Sequence, residues 1–169
     1  VGRIDPSKGI EELLNLWKDV DFSLTVVGDG PLLKKIVSKG NGNINFLGFL
    51  KKDSVLKEMS KAEFLILPSL SYEGFPITII EAFSMSLPVI APNLGPLKDI
   101  INHNKTGLLY NVKNKDDLKN KIQYLIDNKK KCQELGRKAR KYFEEKLSEE
   151  GNYFQLMKIY ESVINEKNK

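Results

Sequence analysis

Three residue types are almost missing from this chain of 169 residues, which holds one cysteine (Cys132), one histidine (His103) and one tryptophan (Trp17). A single cysteine excludes an internal disulfide and suits a reducing compartment. With only one histidine beside it, the chain is poor in the usual zinc ligands, and a zinc site is not expected. Long apolar runs are missing too; none approaches the roughly 18 residues that a membrane span needs. No leader-like pattern stands ahead of the first motif, so the expected setting is cytoplasmic. There is no internal repeat and no Gly/Ser-rich linker. The lysines are not interleaved with exposed aromatics, and nucleic acid is therefore not an expected partner.

What is present is an ordinary globular balance of 41% hydrophobic and 29% charged residues, with 27 Lys and Arg against 22 acids for a net charge of +5. Such a chain has the means to bury one sizeable core. Its lysines gather in polar stretches such as K-K-K at 129–131, which read first as solvated faces. Attraction to anionic headgroups, and with it peripheral association at the cytoplasmic face of a membrane, is left open by that charge.

The pattern along the chain alternates. V-G-R at 1–3 reads as the end of a strand, and 9–18 as a helix with Ile10, Leu13, Leu14 and Trp17 on one face. S-L-T-V-V (23–27), N-I-N-F-L (43–47), E-F-L-I-L-P (63–68), P-V-I-A-P (88–92) and T-G-L-L-Y (106–110) read as further strands. Between them Pro31 suits a helix start, Asp53 an N-cap for a helix to about Ser60, and Pro76 the opening of another helix. Helices then run from near Asn114 to the end, with Asp116 and Asp117 favourable in a first turn. The last carries Tyr153, Leu156, Met157, Tyr160, Val163 and Ile164 at helical spacing. Strands apolar on both faces and alternating with helices predict an α/β fold, a Rossmann-like parallel sheet of about six strands covered on both sides. Ligands in such sheets bind at the carboxyl ends of strands. That edge holds the loops at 2–8, 28–31, 48–52, 68–76 and 92–96.

G-D-G-P at 28–31 is a tight turn rather than a dinucleotide fingerprint, because Leu33 stands where the third glycine is required. S-Y-E-G-F-P-I-T-I-I-E at 71–81 is more informative. Glu73 lies in the loop that leaves the most apolar strand, and Glu81 falls in the second turn of the helix that Pro76 opens, beside Thr78 and Met85. Helical side chains tilt toward the N-terminus, so both acids can face a crevice mouth as acceptors for vicinal hydroxyls. Read alone, Glu73 is equally a solvated loop acid and Glu81 equally the partner of a lysine. Arg3 and Lys8 sit at the same edge, where two cations and a helix N-terminus can converge on a diphosphate.

V-G-R-I-D-P-S-K-G, V-V-G-D-G-P, N-F-L-G, L-P-S, E-G-F-P-I-T-I-I-E-A, P-V-I-A and T-G-L-L together resemble the nucleotide-sugar-binding half of GT-B glycosyltransferases, specifically glycosyltransferase family 4, over about residues 1–130. The resemblance implies one half of a GT-B enzyme. Residues 1–145 would form the donor-binding domain, with its first strand truncated, and 146–169 a C-terminal amphipathic helix of the same domain. The N-terminal acceptor domain and its usual catalytic histidine would lie outside this chain. In the family the last helix crosses toward that domain, so the 153–164 stripe would lack part of its cover.

Glu73 and Glu81 match the family's E-x7-E pair, which implies Glu81 on the donor's ribose and Glu73 facing the sugar. Arg3 and Lys8 would bind the diphosphate, with Arg3, Lys8 and Glu73 as the catalytic set. Gly74, Phe75, Pro76, Ile77 and Thr78 would contact sugar and phosphate, and Phe49 and Leu50 would border the base. Family chemistry retains anomeric configuration and needs no metal or other cofactor. The donor implied is a UDP-sugar, with GDP-mannose second. The acceptor is a glycan, lipid-linked chain or polysaccharide, as in bacterial capsule or lipopolysaccharide synthesis. Rival readings are a non-catalytic nucleotide-binding module and a sugar-nucleotide epimerase of the same fold. Ser86 stands where a glycine is usual before L-P-V, Asp99 where a glutamate is usual, and Pro76 removes one backbone donor.

Overall fold

The computed structural model of the chain describes every residue except 41, 72, 73, 75, 115, 168 and 169, and all but the side chains of 166 and 167 among those. A 3-10 turn (Pro6–Lys8) leads into α1 (Ile10–Trp17), β1 (Leu24–Val27), α2 (Leu33–Val37), β2 (Ile44–Gly48), α3 (Lys52–Met59) and β3 (Leu65–Ile66). There follow α4 (Ile77–Ser84), β4 (Val89–Pro92), α5 (Leu97–Ile100), β5 (Gly107–Tyr110), α6 (Asp117–Asp127) and α7 (Lys129–Tyr142). A π-type turn (Phe143–Leu147) separates α7 from α8 (Glu149–Lys167).

All the strand pairs are parallel, as the alternation with helices requires. Where about six strands in one sheet are expected, the described residues form five strands in two sheets, ordered β1-β2 and β3-β4-β5. The expected strand end at 1–3 is a rung rather than a named strand. Gly2 N–H donates to Val27 O at 3.0 Å and Ile4 N–H to Asp29 O at 2.8 Å, so this segment runs alongside the exit of β1. Gly28 and Gly30 allow that approach: a Cβ on Gly28 would lie 1.8 Å from Gly2 O, and one on Gly30 2.3 Å from Ile4 O. The G-D-G spacing therefore serves backbone clearance.

The sheets alternate between two cores. Leu65, Leu67, Val89 and Ala91 pack with Met59, Ile79, Phe83 and Leu97 from α3, α4 and α5, and with Ile101 just after α5. Val26, Ile44, Ile66, Ile90 and Leu108 pack with Leu13, Trp17, Ile122 and Leu135 from α1, α6 and α7. Successive strand residues point to opposite faces, and here both faces are apolar because helices cover both. Trp17, fully buried, satisfies its ring N–H by donating to Phe22 O at 2.7 Å.

Several local expectations shift. Asp53 lies in the first turn of α3, whose N-cap position is Lys51. The helix expected from Pro31 is short and begins at Leu33, and that expected near Asn114 begins at Asp117 after an N-cap at Asp116. Pro76 is the N-cap residue of α4 rather than its first helical residue. Cys132 is buried and donates to Glu63 O at 3.2 Å; burial, reinforced by Glu63, pushes its thiol up to about 11, which leaves it inert at neutral pH. α8 bears Tyr153, Leu156, Tyr160, Val163 and Ile164 exposed, as are Phe154 and Ile159 beside them, so its apolar residues spread beyond one stripe.

Candidate functional site

The site is built at the carboxyl ends of the strands. From Ile4 the chain turns at Asp5, the N-cap of the 3-10 turn, whose Oδ1 accepts from the backbone N–H and the hydroxyl of Ser7. The Ser7 hydroxyl foremost, with the Ser7 N–H and the charges of Arg3 and Lys8, holds the Asp5 carboxyl below its ordinary range. The Arg3 Nε lies 3.6 Å from Asp5 Oδ2, while its side chain stays largely exposed. Asp5 thus orients the arginine and shapes the turn that presents Lys8. Leu70 N–H donates to Ser7 O at 2.9 Å, clipping that turn to the loop leaving β3.

These loops frame the mouth of a cavity of about 660 Å3, whose wall at this end includes Arg3, Lys8, Ser69, Pro76 and Thr78. Ser69 is 1% exposed. Its signal in the sequence is slight, a small polar residue directly after an apolar strand in L-P-S. α4 enters the mouth with Pro76 at its N-cap, a residue that makes no side-chain cap, while Ile79 N–H turns back to Pro76 O at 3.0 Å.

Four of the eleven expected site residues are therefore brought to one mouth: Arg3, Lys8, Pro76 and Thr78. Glu81 lies one turn further along α4, half-buried, on the side of Thr78. Lysine ion pairs among the described residues run to Glu11, Glu58, Glu63, Glu134, Glu145, Asp19 and Asp117, and none reaches Glu81. Gly74 is exposed and is not part of the cavity wall. Ile77 and Phe49, 66% and 75% exposed, stand outside the cavity wall, as does half-buried Leu50. Glu73 and Phe75 lie outside the described residues. His103 is remote from this edge, and its Nδ1 accepts from Leu109 N–H at 2.9 Å, a structural bond. No cluster of three or more metal-ligating side chains occurs among the described residues. The arrangement offers two cations, helix N–H donors and one half-buried acid, a set suited to a diphosphate joined to a polyol.

The family model described as glycosyl transferases group 1 matches residues 1–142. An uncharacterised glycosyltransferase of Methanocaldococcus jannaschii is 40% identical over 167 residues, 96% of this chain and 47% of that protein. TarM of Staphylococcus aureus, solved with UDP, fondaparinux and α-GlcNAc-glycerol, superposes with a TM-score of 0.79 at 28% identity, over 94% of this chain and 34% of its own. HepE of Anabaena, solved with UDP, superposes with a TM-score of 0.83 at 20% identity, over 95% of this chain and 48% of its own, which shows the shared fold. The chain thus spans about half the length, or less, of the proteins it matches.

Proposed function

Since the chain belongs to the group 1 glycosyl transferases, we propose that it is the part of a retaining, family 4-type glycosyltransferase that binds the nucleotide-diphosphate sugar. The observation that carries this is the convergence of Arg3, Lys8 and the uncapped start of α4 on one cavity mouth. The two cations and the helix N–H groups neutralise the diphosphate as it departs, where charge develops in the transition state. No metal is needed for that task in this reading. Glu81 accepts from the ribose hydroxyls, and Glu73, following the family pattern, faces the sugar. Phe49 and Leu50, carried at the exit of β2, border the base.

UDP is the first-choice nucleotide, supported by its presence in TarM. The acceptor is a glycan, lipid-linked chain or polysaccharide, in a bacterial surface-polysaccharide setting, and is held by residues outside this chain. No helix among the described residues is long and apolar enough to cross a membrane; contact with one would be peripheral, through the basic surface.

Calorimetric titration with UDP and with uridine tests the cation assignment. Charge-assisted bonds contribute about 1.5–3 kcal/mol each, so Arg3→Ala should weaken UDP about 10- to 100-fold and leave uridine nearly unchanged. Equal losses for the two would refute it. Incubated with donors and acceptors, residues 1–169 alone should transfer no sugar, because alignment of acceptor with anomeric carbon supplies about 7–11 kcal/mol of barrier reduction and the acceptor groups lie elsewhere. Transfer at the rate of the longer enzyme would overturn the division of labour.

A further inference from the structure

Asp5 divides its work between its two oxygens. Oδ1 accepts from the Ser7 N–H at 2.9 Å and from the Ser7 hydroxyl at 2.5 Å, which completes the N-cap of the 3-10 turn. A neutral oxygen serves such a cap as well, since Asn and Ser are close to Asp in that position. The turn alone does not call for a charge. Oδ2 is turned to Arg3 instead, 3.6 Å from its Nε, which is beyond hydrogen-bond range. With the Arg3 side chain 73% exposed, an ion pair of this kind directs the guanidinium without locking it. The Ser7 hydroxyl foremost, with the nearby cations, keeps the carboxyl ionised throughout the neutral range.

That fixed charge has a consequence which rests on the reading of the mouth as a site for a nucleotide-diphosphate sugar. Arg3 and Lys8 bring two positive charges to this edge, and Asp5 and half-buried Glu81 bring two negative ones, so the four cancel. The donor and the nucleoside diphosphate it leaves behind differ by one negative charge. When the bond between the anomeric carbon and the phosphate oxygen breaks, its electron pair stays on that oxygen, which becomes a terminal phosphate oxygen. A site made of cations alone therefore holds the product more tightly than the donor, and slow product release limits turnover. We infer that Asp5 is a positioning residue that offsets this bias, its carboxylate standing beside Arg3 as an anion that weakens the departing nucleoside diphosphate more than the donor. It acts through space and on Arg3, since Arg3, Ile4 and Lys8 belong to the cavity wall and Asp5 does not. In water a ligand charge about 7 Å from such a carboxylate is disfavoured by a factor of about two to three, and the product carries one more charge to be disfavoured.

Calorimetric titration at low ionic strength tests this with UDP and with its β-methyl ester, a probe that lacks the extra charge as any UDP-sugar does and carries no sugar to be selected. Asp5→Asn and Asp5→Ser both keep a cap for Ser7 and remove the charge. Each should bind UDP about four- to tenfold more tightly than the parent, and the ester only about two- to fourfold more tightly. The preference for UDP over the ester should therefore widen about twofold, and that widening should fade in about 0.5 M salt. A purely structural role would change both ligands alike, and so would not move the preference. Weaker UDP binding by both variants, an equal change for UDP and ester, or a widening that survives high salt would each overturn the inference. A parent chain that binds no UDP would overturn the functional reading as well. A parent that binds UDP, with an unchanged preference in both variants, overturns this inference alone.

Discussion

Ser86→Gly should make the protein more stable although it removes a side chain. Ser86 has φ of 58°, the left-handed region, at the end of α4. Leu87 N–H donates to Ala82 O at 2.9 Å and Ser86 N–H to Phe83 O at 3.1 Å, the two bonds of a Schellman C-cap in which Ser86 is the C′ residue. A residue with a Cβ in this conformation costs about 1–2 kcal/mol. Glycine avoids that but loses more entropy on folding, about 0.5–1 kcal/mol. The backbone has little freedom to relieve the strain otherwise. The Arg140 guanidinium of α7 donates to Ser84 O, and α7 passes so close that a Cβ on Gly136 would lie 2.1 Å from Ser86 O. The net gain should be about 0.5–1 kcal/mol, or about 1–4 °C in Tm for a chain of this size. Ser86 is exposed, so Ser86→Ala, which keeps the Cβ, should change little. Calorimetric scans and urea midpoints of the three proteins provide the measurement. A Ser86→Gly protein less stable than Ser86→Ala would refute the reasoning: neither carries the hydroxyl, so the entropy cost of glycine would then exceed the left-handed strain that the Cβ imposes.

At the site, Glu81→Gln should narrow the preference for UDP over its 2′-deoxyribose counterpart about three- to tenfold, as expected when a carboxylate acceptor becomes a neutral one; an unchanged ratio by titration would remove Glu81 from the ribose. Stability should also fall on the acid side of neutrality. Burial foremost, with Lys121 adding and Asp117 opposing, lowers the His103 pKa from the usual 6.5. A histidine with a depressed folded pKa stabilises in its neutral form, so its contribution is whole above 6.5 and is lost as pH falls through 6.5 toward the folded value. His103→Gln, which keeps an acceptor for Leu109 N–H, should flatten the decline of Tm between about pH 7 and 5.5; parallel declines would show that other groups set it.

The strands are legible in the sequence because parallel strands buried on both faces must be continuous apolar runs. L-T-V-V, V-I-A-P and G-L-L-Y could hardly be read otherwise. The site edge follows in turn, since right-handed alternation of strand and helix places every strand-to-helix loop on one side, which is where Arg3, Lys8 and Thr78 are found. Turn details are less legible. Asp53 has the composition of an N-cap, yet the helix starts one residue before it, because local hydrogen bonding decides the boundary and composition only biases it. The division into β1-β2 and β3-β4-β5 is less legible, because which strands pair is a long-range fact that no local pattern encodes. Ser69 is not legible in the sequence, because a serine becomes informative only once its burial is known.

The clearance at Gly28 and Gly30 makes two distant stretches of sequence a single mutational unit. Neither glycine has a side chain to contribute to a ligand, but each is a mould for the backbone that carries Arg3. A methyl group at either position has nowhere to go except into Gly2 or Ile4 carbonyl oxygen, so the displaced atom is the guanidinium's own support. Under the proposed assignment of Arg3 to the diphosphate, damage there would be recorded as lost phosphate affinity with the loop itself intact, and a screen for binding defects would score two glycines that carry no side chain beside the arginine they support.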